Sequence, residues 1–344
     1  MVTVLQIKQM VSQAYFGDAV MTETDYSRGR KLFIAEGCCA NGVVTLTTGA
    51  FLSGYAGYLG ADDSLNGIIG SIPVLLCTLQ MFSSVVLENL RQKKFLIACF
   101  ALIHRLLLSS VFFVPLLVED NAGRLAAVVA IYVVAHFFGA FIGTGTGSWL
   151  LSLVPENIRG TYLGRKDAFA FAFTTVLSLL CGRILDWMRG AHQDLLGYYI
   201  IGLIVLSTAF TDFWCLSSIR EPVQETHRRS LKAAVIDPLL DREYRKVIGL
   251  YMFWNLALQV AGPFFSVYMV TGLSLDYTYI TFLGLIASSV RVVAACFWGR
   301  LADATSWLHA ARCSMLLLGL VHTSWLFMTP ATCLILQPIL QALS

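Results

Sequence analysis

SSIREPVQETHRRSLKAAVIDPLLDREYRK, residues Ser217–Lys246, is the one long polar stretch after residue 32. It carries seven basic residues: Arg220, Arg228, Arg229, Lys232, Arg242, Arg245 and Lys246. Apolar blocks of helix length, parted by short polar turns, lie on both sides of it. A segment this basic is hard to move across a bilayer and is expected to stay cytoplasmic. It therefore orients every block around it and divides the chain into two halves. A short helix is expected over Leu231–Leu240, its one apolar run, with Pro222 and Pro238 as punctuation. The rest reads as a solvated linker.

Composition agrees with a bilayer environment. Of 344 residues, 57% are hydrophobic and 13% charged, with a mean hydropathy of +0.71. Soluble domains carry roughly 25% charged residues, so this chain could not cover a water-facing surface. In lipid, apolar side chains face outward without cost. The expected fold class is all-α, a polytopic membrane protein. The net charge of +3 gives no sign of a nucleic-acid partner. Most of the nine Cys sit in apolar runs without zinc-ligand spacing and read as small packing residues, so neither a metal nor a cofactor is expected. The six His are scattered and no HExxH occurs, so no catalytic residues are assigned and no enzyme is expected.

A spanning helix needs about 20 mostly apolar residues. Residues 1–32 read as an N-terminal tail, with no secretory signal because Lys8 and Gln9 break its first apolar run. Nine spans are expected: Phe33–Tyr58, Gly67–Leu87, Phe95–Val118, Leu125–Val154, Ala168–Trp187, Leu195–Leu216, Val247–Thr271, Tyr277–Trp298 and Ala310–Met328. A tenth begins near Ala331 and reaches Ser344 without a polar stop, which reads as a truncated second half. The expected domains are a six-helix bundle over 33–216, a linker over 217–246, and a partial bundle of about four helices over 247–344. With the N-terminus inside, the inner segments hold nineteen Lys/Arg and the outer turns two, Arg124 and Arg189. The opposite orientation would invert that bias.

The halves repeat one feature. An acid stands just past the inner end of the second helix of each: Glu88 followed by Arg91, and Asp303 followed by Arg312. The offset of about 215 residues suits parallel six-helix repeats. Gly299-Arg-Leu-Ala-Asp303 resembles the loop motif Gly-x-Leu-Ala-Asp-Arg-x-Gly-Arg of the major facilitator superfamily. Ala304, Ser306 and Trp307 depart from its later positions, and Ser84 and Glu88 replace the Gly and Asp in the first-half copy. Pro155-Glu-Asn-Ile-Arg159-Gly160-x-x-x-Gly164 resembles the loop after helix four of the same superfamily. The resemblance spans the chain. It implies bundles of that kind, a complete six-helix first half and an incomplete second, in a plasma-membrane transporter, monomeric, with a small solute and a coupling proton or cation as partners. It also implies gating roles for Glu88, Arg91, Arg159, Gly160, Gly299 and Asp303. Physically, an acid at a helix end can bind the free amides of a neighbouring helix N-terminus.

Polar residues within spans are costly and face a cavity or another helix. Asn41, Thr45 and Thr48 share a face of the first span, His136 and Thr144 of the fourth, and Tyr251, Asn255 and Gln259 of the seventh. In the superfamily, helices one, four, seven and ten line the path, and the coincidence favours a cavity over inter-helix bonding. Arg291, two turns above Gly299, is the candidate for an anionic group. His136 could serve a coupling proton or sit buried and neutral. Gly139, Gly143, Gly145 and Gly147 lack the Lys-Ser/Thr of a phosphate loop and read as close-packing positions. The expected function is secondary transport by alternating access. The alternatives are a transporter-derived fragment without transport and a membrane-embedded enzyme.

Overall fold

A computed structural model describes residues 21–222, 231–267 and 277–324, with Tyr15 and a few positions after 324. The N-terminal run before Tyr15 and most of the expected tenth span lie outside the described residues. The described elements are helical: α1 (Glu23–Thr47), α2 (Gly49–Tyr58), α3 (Asp63–Cys77), α4 (Gln80–Glu88), α5 (Lys94–Val111), α6 (Asn121–Leu153), α7 (Arg159–Gly190), α8 (Asp194–Ser218), α9 (Leu231–Leu240), α10 (Arg242–Val267), α11 (Tyr277–Ala304) and α12 (Trp307–Ser324).

Among the described residues, six segments before the linker are long and apolar enough to cross a membrane. They are Glu23–Tyr58, Ser64–Leu87, Lys94–Val111, Asn121–Leu153, Glu156–Gly190 and Asp194–Ser218. These are the six expected spans, several of them longer than their apolar windows. The first starts ten residues early because Thr22 and Asp25 close a capping box that satisfies the first amides in water. The first and second spans are each two helices. The first breaks at Thr48, which is extended, and Gly49, which takes φ +54°. Acids on the turns expected to be external have a local job. Asp62 accepts from the Leu65 amide at 2.8 Å and Asp120 from the Gly123 amide at 2.6 Å, capping α3 and α6.

Clustering divides the chain into two compact units: Met1–Glu156 with Phe173–Arg228, and Asn157–Ala172 with Arg229–Ser344. In the first unit α5 packs on α6 and α8, and α1 packs on α8. Its core contains Tyr55, Phe112, Tyr132 and Ile201, all at most 1% exposed. The buried phenols are satisfied by backbone carbonyls of other helices: Tyr55 donates to Val111 at 2.9 Å and Tyr132 to Thr47 at 3.1 Å. Without such partners each hydroxyl would be a stranded dipole in a dry interior. Large apolar side chains such as Val176, Phe210 and Trp214 face outward, as lipid permits. Two of the four expected packing glycines of α6 are tight: a Cβ on Gly145 would collide with Ile97, and one on Gly139 would press on the His104 ring, whereas one on Gly147 would meet nothing within 4 Å and one on Gly143 only an ordinary contact. In the second unit the N-terminal part of α7 lies with α10, α11 and α12, and α11 packs on α12.

Candidate functional site

The first site lies where α7 begins in the second unit. The opening amides of a helix have no partner within it. Here the Asp303 carboxylate, one residue before the end of α11, accepts from Gly160 N at 2.6 Å and from Thr161 N. Two carboxylate oxygens thus take two free amides at the positive end of the helix dipole. Glycines make the approach possible. A Cβ on Gly160 would strike the Gly299 carbonyl oxygen, one on Gly299 the Gly160 oxygen, and one on Gly164 the Ala295 oxygen. The backbones of α7 and α11 therefore cross with no side chain between them, bringing Gly160, Gly299 and Asp303 into one latch.

Burial works against the charge on Asp303, but the Thr161 hydroxyl and the Thr161 and Gly160 amides together hold its carboxyl below the usual value of 3.8. A lowered acid stabilises above its ordinary pKa and fails only as pH falls through the lowered one. Exchange protection of the Gly160 and Thr161 amides, corrected for intrinsic rate, should therefore stay flat from about pH 8 to about pH 5 and fall only in stronger acid.

A second acid does the same work in the first unit. Glu221, just past α8, accepts from Lys93 N at 2.8 Å and Lys94 N at 2.8 Å, where α5 begins. Trp149 donates to the Arg220 carbonyl at 3.4 Å, and Arg220 pairs with Asp25 at 3.1 Å. At the start of the expected linker, the Arg220 carbonyl and the Glu221 carboxylate are thus bonded to the bundle, while the Arg220 side chain is exposed. Burial pushes the Glu221 carboxyl up and outweighs the pull of the Lys94 and Lys93 amides. On acidification Glu221 therefore gives up its charge before Asp303 does. Glu221→Gln should cost about 1–2 kcal/mol, the worth of a charged helix cap. Hydrogen exchange at Lys93 and Lys94 would read it.

The third feature lies deep in the first unit. Arg105 of α5 stands between Asp212 of α8 and Glu36 of α1. Its Nη1 is 2.7 Å from Asp212 Oδ2 and its Nη2 is 3.7 Å from Glu36 Oε1. The side chains are 4%, 0% and 8% exposed in that order. Next to Arg105, the His104 ring meets His136 of α6 with centroids 5.5 Å apart, and His136 meets Tyr132 at 4.4 Å. Sequence reasoning passed over Glu36 and Asp212. Their signal was plain: acids inside apolar spans.

The polar stripes make their hydrogen bonds within a helix or to a neighbouring one. Asn41 donates to Gly37 O at 2.7 Å, Thr45 to Asn41 O at 2.8 Å and Thr48 to Val44 O at 2.7 Å, all within the first span. Thr144 shares a 2.9 Å hydrogen bond with Ser83 of α4, a link between helices. Asn255 donates to Tyr251 O at 2.8 Å on an exposed face of α10, and the Gln259 side chain lies outside the described residues. Arg91 is exposed, Arg159 partly buried beside Gly160, and the Glu88 side chain lies outside the described residues. Arg291 is partly buried with its guanidinium 5.1 Å from the Phe171 ring centre, a cation–π contact. It lines a cavity of about 500 Å³ beside the latch, with Gly160, Gly164, Trp298, Trp307 and Ser314.

No family model and no curated protein matches the chain. Solved structures do. One is a bacterial homologue of the iron transporter ferroportin in the outward-facing state with soaked iron: TM-score 0.65, 14% identity, over 94% of this chain and 81% of that one. Another is a bacterial homologue of the same transporter in the outward-facing state: TM-score 0.66, 12% identity, over 93% and 82%. At such identities the likeness is one of fold. With its membrane-length helices, this chain is an integral membrane protein with the fold of the major facilitator superfamily.

Proposed function

We propose that this protein is a secondary transporter that moves a small solute by alternating access. The six spans before the linker and the helices after it form the two rocking bundles, with the N-terminus and the basic linker cytoplasmic. The observation that carries the reading is the Asp303 latch on the first amides of α7. It consists of two hydrogen bonds and a bare backbone crossing, so it can part and re-form without unpacking a core. The cavity at Arg291 lies beside the latch and offers a cation and aromatic walls to an anionic solute. The polar side chains of α1, α6 and α10 remain the proposed lining of the path.

The solved relatives are homologues of an iron transporter. Among the described residues, no three His, Cys, Asp or Glu side chains gather to hold a metal ion. The proposal therefore names a small solute and not iron.

Uptake into proteoliposomes tests it, with ferrous iron, glucose, succinate and a dipeptide as probes. One probe should enter faster than into empty vesicles. Asp303→Asn should slow it about tenfold at equal protein, the factor carried by about 1.4 kcal/mol of lost charge-assisted bonding. A folded protein that moves none of a widened panel would favour the non-transporting alternative, and a hydrolysed lipid or peptide the enzyme.

A further inference from the structure

We infer that Glu36, Arg105 and Asp212 form a proton-binding site, in which Asp212 holds one dissociable proton at neutral pH. The inference does not depend on the transport reading. It starts from charge: one guanidinium is set against two carboxylates, so the three groups sum to −1 inside the helix bundle. Removing an unbalanced charge from water is among the costliest acts in a protein interior, and a group so placed neutralises instead.

Geometry selects Asp212. It is fully buried, and among the described residues neither of its oxygens has a hydrogen-bond donor. Arg105 Nη1 is near Oδ2 but not aimed along a hydrogen bond, and that nitrogen too has no acceptor. The pair is thus in contact without the directed bonds that normally repay desolvation of an ion pair. An ionised carboxylate can only accept; the protonated form is also a donor. Proton uptake from water forms an O–H bond on Asp212, leaves hydroxide to the solvent buffer, and makes the triad neutral. Glu36 then keeps Arg105 as its counter-ion.

Other titratable groups stand around the site. Cys39 of α1 and Cys215 of α8 lie within electrostatic reach of Asp212. His104 of α5 lies beside Arg105 and faces His136 of α6. Neither thiol nor imidazole supplies Asp212 with a hydrogen bond. A protonated imidazole beside the Arg105 guanidinium would meet like charge, so the histidines are poor homes for this proton.

Infrared difference spectroscopy on the purified protein in detergent reads the proton directly. The wild type at neutral pH should give a protonated-carboxyl stretch that shifts in D2O and vanishes only in alkali. Asp212→Asn should remove it. Glu36→Gln should remove it as well, because Asp212 then has Arg105 to itself and ionises. That second loss separates a shared-charge site from a merely buried acid. The proposal is overturned if the wild type shows no such band, if the band survives both substitutions, or if sodium or lithium chloride abolishes it at constant pH, which would put a metal ion where the proton is assigned.

Discussion

Arg105→Met should destabilise the protein by about 3–5 kcal/mol, the cost of removing one partner of a buried ion pair. Methionine nearly matches the arginine stem in length, so little packing is lost. What remains is the Glu36 carboxylate, 8% exposed, in a dry interior beside protonated Asp212, with the Arg105 cation gone. The sign of the effect is electrostatic, and a compensating change tests it. Arg105→Met with Asp212→Leu and Glu36→Leu together should recover most of the loss, since apolar replacements of buried charge networks are often neutral or better. Asp212→Asn alone should cost far less than Arg105→Met, because an amide resembles the protonated acid. Thermal unfolding in detergent at fixed pH measures all four proteins. An Arg105→Met protein that melts with the wild type would show that the triad holds nothing together.

Gly299→Val should abolish closure of the latch. The obstacle is the Gly160 carbonyl oxygen, a backbone atom that cannot rotate aside as a side chain could. Overpacking of this kind costs about 1–3 kcal/mol even in cores that can shift, and here the helices must separate to make room. Separation takes Asp303 away from the Gly160 and Thr161 amides, so the capping bonds are lost together with the crossing. Uptake should fall at least as far as in Asp303→Asn, and exchange of both amides should quicken. Gly319→Ala is the control: it lies on α12, where an added Cβ meets nothing within 4 Å. It should leave uptake and exchange unchanged.

The spans and the latch were legible because each leaves a local trace. The six apolar windows before the linker gave six membrane-length segments, the first two each broken into two helices, and the one apolar run of the linker gave α9. The latch was legible because a glycine, an acid and a second glycine pair stand at fixed spacings in Gly299–Asp303 and Gly160–Gly164. Helix ends were not. Hydropathy marks where lipid stops, whereas hydrogen bonding continues as far as a cap such as Thr22 or Asp120 allows. Glu221 was hidden by its setting in a charged stretch, where one acid looks like the next until α5 is known to start beside it. The triad was hidden for a different reason. Glu36, Arg105 and Asp212 are far apart in sequence, and only the adjacency of α1, α5 and α8 brings them together. Polar stripes gave the helical face but not the bonding. Asn41, Thr45 and Thr48 share a helical face, yet each bonds to the carbonyl one turn behind it, which periodicity alone cannot foresee.

The most direct test of the account is whether the latch opens. Spin labels at Arg165→Cys on α7 and Arg300→Cys on α11, both exposed positions, placed in a background without the native cysteines, report the separation of the two helix ends by pulsed dipolar spectroscopy. The account predicts two populations, one close and one distant, with Asp303→Asn shifting the balance to the distant one. A single separation, the same with Asp303 and with Asn in its place, would contradict it.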